Sequence, residues 1–247
     1  MIKKNKLSIN TGFAVNRFNK NEIFIDFVKN YLKLNYIQPT SDWLNMNLPD
    51  KYIFKNVKQL DKVLSKNKVK VNSLFTGAFT RLNHLGHPDK DHQLYWINWF
   101  KRFIDVGIDL GAKHVGSHLG ILSYDDNRER KKLLKSRIIK NWYLIAEYAN
   151  KKKIKSLIWE PMSISREFGE TLNECNNIHS LLNKKKYKFN LCLDVGHGDI
   201  NSKNKSNYDP YKWLKEFSSE SPVIHIKQVK KNNFTHLPFT KKNNKDG

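Results

Sequence analysis

Acidic residues are scarce in this chain: Asp and Glu number 23 against 45 Lys and Arg, a formal charge of +22. Arginine is itself rare within that excess, confined to positions 17, 81, 102, 128, 130, 137 and 166. Bidentate recognition of phosphates and bases favours Arg, and the lysines are spread along the chain beside abundant asparagine. The charge is therefore read as a Lys/Asn composition bias rather than a nucleic-acid footprint, although it does not exclude one. An anionic small substrate benefits from such a field in either case. Cysteine is limited to Cys175 and Cys192; two distant thiols exclude a disulfide framework and a CxxC centre and fit a reducing cytoplasm. No apolar run reaches the ~18 residues of a membrane span, and the basic start MIKKNKLSIN lacks an apolar signal core, so a soluble cytoplasmic protein with no membrane partner is expected. There is no P-loop, no GxGxxG after a strand and no GxSxG elbow, which disfavours nucleotide-cofactor chemistry and serine hydrolysis. The 11 glycines and 7 prolines are scattered, no linker divides the chain, and residues 1–247 are read as one domain.

What is present is alternation. Strand-like runs are expected at residues 6–15, 36–39, 69–75, 113–118, 156–160, 190–193 and 223–228. Between them lie helix-like segments at 21–34 (opened by Asn21 as a cap), 57–64, 95–110 (closed by Gly111), 129–150, 171–182 and 210–217. The aromatic stripe of 95–108 has helical spacing and is core. The triplets Lys151-Lys152-Lys153 and Lys184-Lys185-Lys186 are solvated helix ends, where positive charge complements the dipole. Repeated strand–helix units at this length argue for a parallel α/β fold of the TIM-type (β/α)8 barrel. Only seven strands are visible before the polar tail at 241–247. A seven-stranded parallel barrel leaves an open edge, so the barrel is open, or a partner, such as a second copy in a homo-oligomer, completes it, or the chain is C-terminally incomplete. The last reading is adopted here.

In such a barrel the active residues gather at the C-terminal ends of the strands. The apolar run FNLCLDVGHGD passes abruptly from strand to carboxylate, glycine and imidazole at Asp194 and His197. The third strand delivers Arg81, His84 and His87 in its following loop, the fourth Ser117 and His118, the fifth Glu160, the seventh His225 with Lys227 and Gln228 just beyond; His236 follows in the loop THLPF. Glu160, Asp194 and His225 are spaced one strand–helix–strand unit apart, and an O/O/N set of this kind suits one divalent cation, Mn²⁺, Mg²⁺, Co²⁺ or Zn²⁺. Trp159 is either core or a flat wall for a sugar. His84 and His87, on either side of Leu85-Gly86, fit a plain turn as well as a ligand pair.

These residues resemble the xylose-isomerase-like TIM barrels, which include ketose 3-epimerases, hydroxypyruvate isomerases and apurinic endonucleases. The stretches SLFTGAFTRLNHLGHPD, WEPMSISREFGET, LCLDVGHGD, DPYKWL, SPVIHIKQ and HLPFT are similar to those of the group that racemises or isomerises tetrulose phosphates in erythritol catabolism. The resemblance implies Glu160, Asp194 and His225 as ligands of one divalent cation, Mn²⁺ first among the candidates. It implies Glu160 also as an acid/base carboxylate, and His197 at the substrate oxygen or supporting the metal. His118, Arg81, His84, Trp159, Lys227, Gln228 and His236 are the substrate-binding candidates, with Arg81 and Lys227 foremost for a phosphate. The family's fourth ligand and second carboxylate, a Glu ending strand eight, has no counterpart before residue 247. A metal next to a ketose carbonyl and hydroxyl stabilises a cis-enediolate, so the expected activity is metal-dependent epimerisation or isomerisation of a small ketose phosphate. The alternatives are a multi-zinc apurinic-site phosphodiesterase, drawing on His84 or His87, His118 and His236, and an inactive truncated remnant.

Overall fold

A computed structural model describes residues 5–82, 84–229 and 236–245. Its contacts cluster into two compact units: residues 1–82, 98–117 and 148–156, and residues 83–97, 118–147 and 157–247. Among the described residues no helix is long and apolar enough to cross a membrane.

In the first unit, strands β1 (Ile9–Asn10), β2 (Tyr36–Gln38) and β3 (Lys70–Val71) pair in parallel in that order. The run expected as a single strand over 69–75 is interrupted. Lys70 and Val71 serve β2, whereas Ser73–Phe75 (β4) pairs with β5 (His114–His118). Asn72 is the point of exchange, its carbonyl accepting from Lys113 N at 2.9 Å; the chain changes partner ladder there, and a one-residue break is the result. The segment 21–34 begins as α1 (Asn21–Asp26) and widens into a π-turn over Phe27–Tyr31. Asn21 is not its cap: Lys20 holds that position and caps nothing with its side chain. Helix α2 (Asp50–Asn67) exceeds the 57–64 expected, because Ile53 extends the buried stripe of Val57, Leu60 and Leu64 by a turn.

Helix α3 (Lys90–Asp109) is closed where the sequence indicates: Gly111 takes φ +73° and its N–H bonds Ile108 O at 2.9 Å. The helix expected over 129–150 runs over Lys131–Lys151, and a short helix not expected from the sequence precedes it. Ser123 caps a short α4 (Tyr124–Glu129), Arg130 leaves helical geometry, and α5 (Lys131–Lys151) follows.

The second unit carries the parallel strands β6 (Ser156–Glu160), β7 (Phe189–Asp194) and β8 (Val223–His225), with Trp159↔Leu191 and Asp194↔His225 in register. β6 and β7 are buried almost throughout, which is why their apolar runs are continuous rather than alternating. Helices α6 (Leu172–Leu182) and α7 (Pro210–Phe217) are capped by Thr171, which accepts from Glu174 N, and by Asp209, followed by Pro210 at the first helical position. The seventh strand stops at His225, short of the expected 228. Gln228–Val229 (β9) leaves the parallel sheet and pairs antiparallel with His236–Leu237 (β10).

Candidate metal centre

The register Asp194↔His225 sets a carboxylate beside an imidazole at the ends of two paired strands, and Glu160 ends the strand on the other side of β7. One ligand atom from each of Glu160, Asp194 and His225 lies within 4.8 Å of the others, a spacing that could hold one metal ion. Glu160 and Asp194 are 8% and 9% exposed. Burial pushes the Glu160 carboxyl up, but His197, His225 and Lys227 outweigh it and bring the group down to about 2. Two carboxylates and an imidazole, drawn together and shielded from water, are the donor set of a hard to borderline divalent cation, so the residues fit such an ion.

Asp194 is fixed by the turn it starts. Its Oδ1 accepts from Gly196 N at 2.8 Å, and His197 N bonds its carbonyl at 3.1 Å. His197 folds back over the centre, with Nδ1 3.0 Å from Pro161 O and 3.2 Å from Glu160 Oε1, and Nε2 3.7 Å from Asp194 Oδ2. A carbonyl oxygen only accepts, so Nδ1 carries the proton and the ring is held between the two carboxylates. His225 Nδ1 stands 3.8 Å from Glu160 Oε1. Burial would lower the His225 ring, but Cys192 and Glu160 hold it well above the ordinary histidine value. Lys227 Nζ is 3.2 Å from Asp194 Oδ2.

Glu160, Asp194, His197, His225 and Lys227 thus converge. Trp159 is 1% exposed, and its Nε1 donates to His179 Nδ1 at 3.2 Å. Strand alternation turns it away from the side on which Glu160 points, so it is core and presents no wall to a sugar. His84 binds Asp126, Nε2 to Oδ2 at 3.6 Å, in a group that includes Arg130. Gln228 is buried and donates to Asn243 O. His118 is buried at the end of β5. Arg81 is exposed and belongs to the first unit. The His236 side chain lies outside the described residues.

Three contributors escaped sequence reasoning. Cys192 Sγ lies 3.4 Å from His225 Nε2 and 3.6 Å from Nδ1, nearly equidistant, so it packs against the ring instead of making one directed bond. Its position two residues before Asp194 was the available signal, since both side chains leave the same face of the strand. The Pro161 carbonyl and the space above Gly196 had no signal of their own.

The family model described as "Xylose isomerase-like TIM barrel" matches residues 28–244. The chain belongs to this family. Its fold is accordingly the α/β TIM barrel, as the strand–helix alternation indicates. Among curated proteins, the D-erythrulose 1-phosphate 3-epimerase of Brucella abortus (strain 2308) is 39% identical over 239 residues, 95% of this chain and 77% of the relative. Among solved structures, a putative xylose isomerase from Rhodospirillum rubrum superposes with TM-score 0.83 at 23% identity, covering 92% of this chain and 78% of the other. A D-psicose 3-epimerase from Clostridium cellulolyticum H10, solved with D-tagatose, does so with TM-score 0.69 at 14% identity, covering 91% and 73%. At those identities the two structures speak for the barrel fold alone.

The histidines away from the centre make stability depend on pH. Burial, with His87 and His92, lowers His84 against the raising effect of Asp126, and His92 is lowered by burial and by His87; His92 Nε2 also accepts from Trp96 Nε1 at 3.2 Å. A histidine kept neutral by folding binds its proton more readily when unfolded. This contribution is complete above the ordinary value of 6.5 and is lost as pH falls below it. The expected result is a melting temperature that declines on acidification through this range, with a shallower decline in His84→Gln. An unchanged slope in that variant would place the titration elsewhere.

Proposed function

We propose that this xylose isomerase-like barrel is a divalent-cation-dependent epimerase or isomerase of a short ketose phosphate of the tetrulose type. The isomerase class rests on the Brucella relative, which aligns over nearly the whole chain and is named for that reaction. The convergence of Glu160, Asp194 and His225 within 4.8 Å is the single observation that carries the chemistry. Glu160, Asp194 and His225 would hold the ion, with Mn²⁺ the first candidate because the set has two oxygens, one nitrogen and no thiolate.

A hydrogen α to a ketone is too weakly acidic for an unaided carboxylate. When bound, the cation supplies polarisation of the carbonyl and of the adjacent hydroxyl. The chain supplies the base on one face. Glu160, kept ionised, accepts the α proton on Oε1 or Oε2. His197, seated by Pro161 O, steadies Glu160. Lys227 places positive charge where anionic oxygens of a phosphorylated substrate gather. Delivery of a proton to the same carbon from the other face, by a donor other than Glu160, inverts it, and delivery to the neighbouring carbon moves the carbonyl. The relative's name favours inversion. No observation favours the apurinic-site alternative: His84 is engaged by Asp126, and among the described residues a single group of three candidate ligands is found.

Treatment with a chelator is expected to abolish interconversion of erythrulose 1-phosphate epimers, and Mn²⁺ or Co²⁺ to restore it. Undiminished turnover by chelator-stripped protein would remove the cation from the reaction.

A further inference from the structure

Most lysines of this chain are solvated; Lys227 is not. Its side chain is 13% exposed, and its Nζ lies against a carboxylate that is 9% exposed. Chain alternation puts it there: Ile226 is 67% exposed, while Lys227, like His225 two residues earlier, turns inward. The slot it enters is made by Gly196. That glycine's φ lies outside the left-handed region, so its backbone does not demand glycine. A Cβ at 196 would instead run into Lys227 Cε and stand 3.2 Å from Cδ and from Cγ. The missing side chain is replaced by the lysine stem. Since Asp194 Oδ1 is taken by Gly196 N, Asp194 cannot turn away, and its Oδ2 faces both Lys227 and His197. Any cation held by Glu160, Asp194 and His225 therefore shares Asp194 with Lys227.

We infer that Lys227, seated over Gly196, is a tethered cation that opposes the divalent ion at Asp194 and recruits an anionic, phosphorylated substrate to the centre. Like charges a few ångströms apart in a partly buried site repel strongly, so the lysine weakens ion binding. In exchange it leaves the loaded centre with a surplus positive charge beside the reacting carbons. The substrate half of this inference rests on the function proposed above; the ion half does not.

Calorimetric titration of Mn²⁺ into chelator-stripped full-length protein tests the ion half. Lys227→Met is expected to tighten Mn²⁺ binding by roughly tenfold or more. Gly196→Ala, which displaces the lysine without removing its charge, should tighten it in the same direction, and Lys227→Arg should stay near wild type. Inorganic phosphate titrated into the Mn²⁺-loaded proteins tests the other half, with binding weakened in Lys227→Met and Gly196→Ala. Unchanged or weakened Mn²⁺ binding in Lys227→Met would overturn the inference, making Lys227 a support for Asp194 instead of its competitor. Tighter Mn²⁺ with unchanged phosphate binding would overturn the substrate half. A wild-type protein that takes up no Mn²⁺ would instead strike the proposed function itself.

Discussion

Glu160→Gln lowers turnover of the ketose phosphate by about 10²- to 10⁴-fold, the usual contribution of a positioned acid/base group. The substitution keeps the size of the side chain and removes the negative charge on which three neighbours converge. His197 Nδ1 at 3.2 Å, His225 Nδ1 at 3.8 Å and the Lys227 charge all hold Glu160 ionised, down to about 2. An amide in that place cannot accept a carbon-bound proton, and it is a poorer donor to a divalent ion. Steady-state kinetics with saturating Mn²⁺ separates the two effects: a loss confined to kcat marks the base, and a loss recovered by more metal marks the ligand. Turnover within a few-fold of wild type would remove Glu160 from both roles. A merely structural Glu160 would lower the melting temperature and leave kcat unchanged.

Trp159→Ala costs about 3–5 kcal/mol of stability, the range for emptying a large aromatic site in a core. Trp159 is among the largest fully buried side chains of the protein. Its ring lies 28° from the plane of His179 with centroids 6.4 Å apart, and its Nε1 donates to His179 Nδ1. His179 in turn joins Glu220 through Nε2. Removing the indole opens a cavity behind β6 and strips a buried imidazole of its donor, and burying an unpaired polar group adds to the cost. Chemical denaturation reads the loss directly. Trp159→Phe keeps most of the volume, so it costs less and leaves KM unchanged. A raised KM in Trp159→Phe with normal stability would restore the sugar-wall reading that the structure overturns.

Glu160, Asp194 and His225 were legible in the sequence because each ends an apolar run of strand length, and a parallel barrel brings such ends together whatever the loops do. Their candidacy as ligands came from chemistry, since two carboxylates and an imidazole at one edge have few other uses. His197 was legible from the Asp-x-Gly-His turn, but its tautomer depends on the Pro161 carbonyl, a backbone atom with no sequence signature. Trp159 was ambiguous because a tryptophan at the end of a buried strand reads the same in a core and in a pocket wall. Only the presence of His179 behind it decides. His84 fitted a plain turn as well as a ligand role because its loop follows a strand; Asp126 pairs with it, and nothing in the spacing of the two announces that. The break at Asn72 was hidden because periodicity describes one strand's faces and not which neighbour it pairs with. The short helix Tyr124–Glu129 was missed because its six residues carry no apolar stripe and only the Ser123 cap marks it.

The measurement that bears most directly on the reading of this chain as an isomerase is solvent exchange at carbon. Mn²⁺-loaded protein is incubated with erythrulose 1-phosphate in D₂O, and the recovered ketose phosphates are examined by NMR and mass spectrometry. Removal of the α proton by Glu160 predicts one deuteron on the inverted carbon of the product, lost in Glu160→Gln and absent without the cation. Conversion of the substrate with no deuterium at carbon would contradict proton abstraction altogether.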